Sequence, residues 1–157
     1  MKKKILNIFT ISVISSISFL GCTNIVDDAT SDVEPNKTTL TVDNITGEFI
    51  INTTVNNLSD YYYAAHSIVD SNSGISLLFK GASYKGTITT TCSSNLVSST
   101  YKDYICISKW NTESPLGDPQ DETNTIRIYD SSSYKVILSE YSLYSGNKET
   151  EIGSIPQ

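Results

Sequence analysis

A chain of 157 residues with 17 acidic against 11 basic side chains, and a formal charge of −6, is sized for one ordinary domain. It offers no basic surface for a phosphate backbone, which excludes nucleic acid as a partner. A single histidine, with two of the 3 cysteines read below as a disulfide, cannot assemble a tetrahedral zinc centre, and no Gly-x-x-x-x-Gly-Lys-Ser/Thr loop exists to cradle phosphates.

The chain opens on Lys2-Lys3-Lys4 and then an apolar run from Ile5 to Leu20, interrupted by serines and threonine. Positive charge ahead of a short apolar segment is the layout of a secretory signal peptide. The run is too short for a bilayer-spanning helix, which needs about 20 apolar residues. It ends in Phe19-Leu20-Gly21-Cys22, which resembles the lipobox of bacterial lipoproteins, with Phe19 where Leu is most usual. The resemblance covers the first 22 residues only. It implies a diacylglyceryl group on the Cys22 sulfur, cleavage just before that residue, and residence in the bacterial cell envelope. Thr23 stands where an Asp would resemble an inner-membrane retention signal, so the outer membrane is favoured in a cell that has two.

On this reading 1–21 is the signal peptide, 22–36 an acidic flexible tether and 37–157 a single β domain. Loss of the three lysines leaves 8 basic against 17 acidic residues, a formal charge of about −9 (8 − 17). Electrostatic adhesion to anionic lipid is thereby disfavoured, and the acyl chains are the expected membrane contact, at about 0.8 kcal/mol per buried methylene.

Past the tether no helical periodicity of useful length appears. Short β-branched and aromatic runs alternate with Asn, Asp, Ser and Gly. They predict strands near Thr38–Asp43, Glu48–Val55, Tyr61–Val69, Ile75–Lys80, Tyr84–Thr91, Asp103–Trp110, Thr125–Tyr129 and Tyr134–Leu143. Asp70 to Gly74 is the clearest hairpin turn. Alternation places Ile75, Leu77 and Phe79 on one face, Tyr84, Ile88 and Cys92 on another, and Ile126 and Ile128 opposite Thr125 and Arg127. Asp103–Trp110 is apolar on both sides, with Tyr104, Cys106 and Trp110 against Ile105 and Ile107, and so reads as a central strand. The expected fold is an antiparallel β-sandwich of about eight short strands, with an up-and-down barrel as the alternative. Cys92 and Cys106 are an even pair in an exported chain and read as a disulfide.

Catalytic signals are sparse. His66 would have to serve any Ser-His-Asp triad, yet no Gly-x-Ser-x-Gly elbow exists, so it reads as a strand histidine with a polar neighbour. Asp118, Asp121 and Glu122 could offer oxygens to Ca²⁺, but they lack the Asp-x-Asp-x-Asp-Gly spacing of a calcium loop. Neither a metal nor a cofactor is expected. Asn-x-Ser/Thr triplets at Asn36, Asn44, Asn52 and Asn57 follow from composition alone.

Tyrosine is the unusual usage, with 10 in the chain. In an alternating strand Tyr61 and Tyr63 would face one way and Tyr62 the other, which makes this triplet the candidate binding patch. Tyrosine among Ser, Asn and Gly suits recognition, because its ring gives large contact area at low entropy cost and can stack on a sugar. The expected function is a non-catalytic binding or envelope-structural module for a protein or glycan partner. A lipoprotein inhibitor of a lysozyme-type hydrolase is the first alternative, although Ser145-Gly146-Asn147-Lys148-Glu149 lacks the Tyr of the Ser-Gly-x-x-Tyr loop of such inhibitors. An envelope hydrolase is the second.

Overall fold

The computed structural model describes residues 34–155 apart from Asn57 and Ser59, so Cys22 lies outside the described residues. Nine strands, and no helix among these residues, form two antiparallel sheets. They are β1 (Lys37–Val42), β2 (Phe49–Val55), β3 (Tyr63–Asp70), β4 (Ser76–Ala82), β5 (Gly86–Val97), β6 (Tyr101–Thr112), β7 (Glu122–Tyr129), β8 (Tyr134–Ser142) and β9 (Gly146–Ile155). One sheet runs β1-β2-β5-β6-β7 and the other β4-β3-β8-β9, without closure into a barrel. The architecture is a β-sandwich.

Each sheet turns one face of alternating residues toward the other, which is how strands of period two build a core. Phe49, Ile51 and Val55 of β2, Ile88 and Cys92 of β5, and Ile126 and Ile128 of β7 are buried on one side. Ile68 of β3, Tyr134, Val136 and Leu138 of β8, and Ile155 of β9 are buried on the other. Phe49 and Tyr104 lie with ring centroids 5.2 Å apart in this core. The β6 strand lies between β5 and β7, as predicted, with Tyr104 and Cys106 buried in the core and Ile107 exposed on the outer face.

Cys92 and Cys106 face each other directly across the β5–β6 ladder and are disulfide-bonded, with Cα atoms 4.0 Å apart. The same hairpin carries a bulge between Ser94 and Leu96. Its strands are longer than predicted, because Ser93 to Val97 continue the ladder against Ile105 to Lys102, and Asn111 and Thr112 continue it against Thr87 and Gly86.

Two further expectations are corrected. The strand β9 was not predicted, since Lys148-Glu149-Thr150-Glu151 carries no apolar alternation, yet it pairs with β8 along most of its length. Tyr84 does not share the inward face with Ile88 and Cys92: it precedes β5 and is exposed.

Polar residues also enter the core, each with partners. His66 is fully buried, with Nδ1 2.9 Å from Thr53 Oγ1 and Nε2 2.8 Å from Thr90 Oγ1. Thr53 continues to Thr38 and Thr90 to Ser108, each at 2.8 Å. A chain of hydroxyls and one imidazole thus crosses the five-stranded sheet from β1 to β6 and ties it to β3. Lys80 of β4 is buried, pairs with Glu122 of β7, and holds its ammonium 5.9 Å from the Trp110 ring. This contact joins the two sheets along one side of the sandwich.

Candidate functional site

The outer face of the four-stranded sheet gathers the aromatic residues that the core does not use. In β3 the residues Ala64, His66 and Ile68 turn inward, so Tyr63, Ala65, Ser67 and Val69 turn outward. The register then lines up three rows across the sheet. Tyr63 lies opposite Tyr141, Ala65 lies between Gly81 and Ser139, and Ser67 lies between Phe79 and Ile137. A row of small residues therefore runs between two rows of large ones.

The rings close over that small row. Tyr63 and Tyr141 stack with centroids 5.5 Å apart and planes only 9° from parallel. Phe79 meets Tyr63 edge-on at 6.2 Å, and Tyr62 approaches Tyr141 at 6.0 Å. Aromatic pairs in such geometries contribute about 0.5–1.5 kcal/mol beyond their area. Beneath them Ala65 is wholly buried and Ser67 and Ser139 nearly so, although all three lie on the outer face. Gly81 belongs to the same floor: a Cβ there would stand 3.0 Å from that of Ala65.

Beside the rings is a groove of about 360 Å³, bordered by Tyr63, Phe79, Ser67 and Ser139 with Asn147 and Glu149 of β9 at its margin. Tyr62 and Phe79 remain about half exposed, at 53% and 51%. The surface combines ring area, hydroxyls, an amide and one carboxylate in a space near the lower bound of small-ligand sites.

The three tyrosines of the candidate patch do not stay together in the structure. Tyr62 and Tyr63 both contact Tyr141, whereas Tyr61 turns to a different cavity beside β8 and β9. The strict alternation fails because β3 begins only at Tyr63, and the two preceding tyrosines lie in the connection from β2. Phe79 and Tyr141 were not assigned to the patch. Phe79 points outward, since Leu78 and Lys80 take the buried positions. It does not share that face with Ile75 and Leu77 as the alternation predicts: Ile75 precedes β4, and Leu77 sits at the β3–β4 bulge and packs against the core.

The other candidates separate in space. Asp118 Oδ1 accepts from the Thr112 amide and hydroxyl at 2.6 and 2.7 Å, Asp121 lies 3.6 Å from Lys109, and Glu122 pairs with Lys80. Among the described residues no group of three or more His, Cys, Asp or Glu side chains is placed to hold a metal ion. Burial and the nearby charge of Lys80 hold the His66 imidazole down to about 4. With both ring nitrogens engaged and no solvent contact, it has no route to act as a base on a bound substrate.

The chain matches no protein-family model, and neither a curated protein nor a solved structure matches it.

Proposed function

We propose that this protein is a lipid-anchored component of a bacterial envelope whose β domain is a non-catalytic binding module for glycan. The aromatic outer face of the four-stranded sheet is its binding surface. The observation that carries the reading is the cluster of Tyr62, Tyr63, Phe79 and Tyr141 over a floor of small residues, with Ser, Asn and Glu beside it. A sugar ring presents apolar C–H faces and a rim of hydroxyls. Aromatic faces match the first, and Ser67, Ser139, Asn147 and Glu149 match the second. Rings already packed against each other lose little freedom on binding, which favours affinity. The membrane link rests on Cys22 and the lysine-led apolar run before it.

Glycan-array and polysaccharide-pelleting measurements on the purified protein test the surface. Tyr62→Ala, Phe79→Ala and Tyr141→Ala are each expected to weaken binding by about 1–3 kcal/mol. Retention of full binding by all three would remove this face as the site. Anchoring is tested separately: Cys22→Ser is expected to block acylation and release the protein from the membrane fraction. An unchanged mass and unchanged partition would remove the lipoprotein reading.

A further inference from the structure

A second site lies on the opposite face of β8. Leu138, Glu140 and Ser142 point into the sandwich, so Glu140 places a carboxylate where its neighbours bury carbon. Its side chain is only 8% exposed. Burying a charge there is costly, and an apolar residue of similar size would fill the position at lower cost. Asn36 Nδ2 donates to Oε1 at 2.8 Å. The other oxygen, Oε2, faces Lys148 across the β8–β9 ladder at 3.4 Å. That distance exceeds the ~2.7–2.9 Å of a charge-assisted hydrogen bond, and the Lys148 side chain is 61% exposed. The lysine therefore holds the carboxylate loosely and can swing into water. Glu140 and Lys148 line a cavity of about 310 Å³, where Tyr61, Leu138 and Ile152 supply apolar wall and Thr38 and Thr150 hydroxyls.

We infer that this cavity binds a primary ammonium group carried on a short apolar stem, such as an alkylamine or a lysine side chain. The ammonium takes the place of Lys148 on Glu140 Oε2, while the stem lies along Leu138 and Ile152. The Tyr61 ring supplies a wall against which a cation is stabilised. Exposed Lys37 at the rim opposes a cation, so dissociation constants on the order of millimolar are expected for a simple amine. The site is independent of the aromatic face, and its test does not rely on that reading.

The probe is n-butylammonium, with n-butanol as the uncharged control, titrated into the full chain and followed by NMR shifts of Tyr61 and Ile152. Butylammonium is expected to saturate and butanol to bind at least about tenfold more weakly. Lys148→Ala, which removes the competing ammonium, is expected to bind butylammonium about threefold or more tightly. Glu140→Gln is expected to lose at least about tenfold. If Glu140→Gln does not fold, the wild-type and Lys148→Ala titrations decide the matter. Equal binding of butanol and butylammonium, or a folded Lys148→Ala that binds the amine no more tightly than wild type, would overturn the proposal. Glu140 would then serve only to hold Asn36 and Lys148 in place.

Discussion

His66 shows how far one side chain can be moved from its behaviour in water. Its folded-state pKa of about 4 lies below the ordinary 6.5, because burial disfavours the imidazolium and Lys80 repels it. The unfolded chain therefore binds more protons between these values, and stability falls as pH drops through that window. The full shift corresponds to about 3 kcal/mol at most, complete near pH 4 and absent above about pH 7. Urea unfolding from pH 4 to 7 is expected to show a shallower pH slope for His66→Gln than for wild type. Equal slopes would mean that the imidazole does not govern acid stability. The sequence identified a strand histidine, but its hydroxyl partners lie 13 and 24 residues away, and only the register between sheets brings them together.

The tyrosines divide in the same way. Tyr104 and Tyr134 are buried, and Tyr134 accepts the Tyr129 amide at 3.1 Å through its hydroxyl. Truncation of either to Ala is expected to cost about 3–5 kcal/mol of stability, as large aromatic deletions in cores do. Tyr62→Ala is expected to stay within about 1 kcal/mol of wild type, since the ring is half exposed. Thermal melts of the three variants check this ordering. A large loss for Tyr62→Ala would assign that ring to the fold and remove it from the binding face.

At the level of strands, the hairpin β5–β6 holds together by both pairing and covalent linkage. The bridge spans 14 residues, and the chain-entropy model gives closing a loop of that length about 3 kcal/mol. The double change Cys92→Ala, Cys106→Ala is expected to lower unfolding free energy by about that amount in urea. A difference below about 1 kcal/mol would mean that the ladder alone constrains the hairpin. The bond was legible because the two cysteines are an even pair in a chain read as exported, and the two-sided apolarity of Asp103–Trp110 marked the central place of β6. The phase of β4 was harder to read, since Leu77-Leu78-Phe79-Lys80 offers a hydrophobic set in either register. The structure buries the set containing a lysine, because Glu122 on the facing sheet neutralises that charge. The β9 strand was invisible for a related reason: it is an edge strand, with charged side chains and little buried surface.

For the molecule as a whole, turn chemistry and short strands were enough to predict an antiparallel β fold. The choice between barrel and sandwich depends on whether the sheet edges meet, which no local pattern encodes. The edges do not close here, and one stretch of a strand inside the five-stranded sheet is open as well. The ladder between β2 and β5 ends at Phe49 and Cys92, so Ser93–Val97 have a ladder partner only in β6. Leu96 and Val97 are exposed along this stretch, at 48% and 64%. A strand stretch with exposed apolar side chains and unpaired backbone groups is a template for another chain. Asn95 is the extra residue at the bulge, unpaired between Ser94 and Leu96, and bulges of this kind twist an edge out of the plane needed for strand addition. Deletion of Asn95 should straighten the segment while leaving Leu96 opposite Asp103 and Val97 opposite Lys102, and promote self-association in light scattering as concentration rises. A deletion variant that stays monomeric at every concentration would show that the bulge does not keep neighbouring molecules apart.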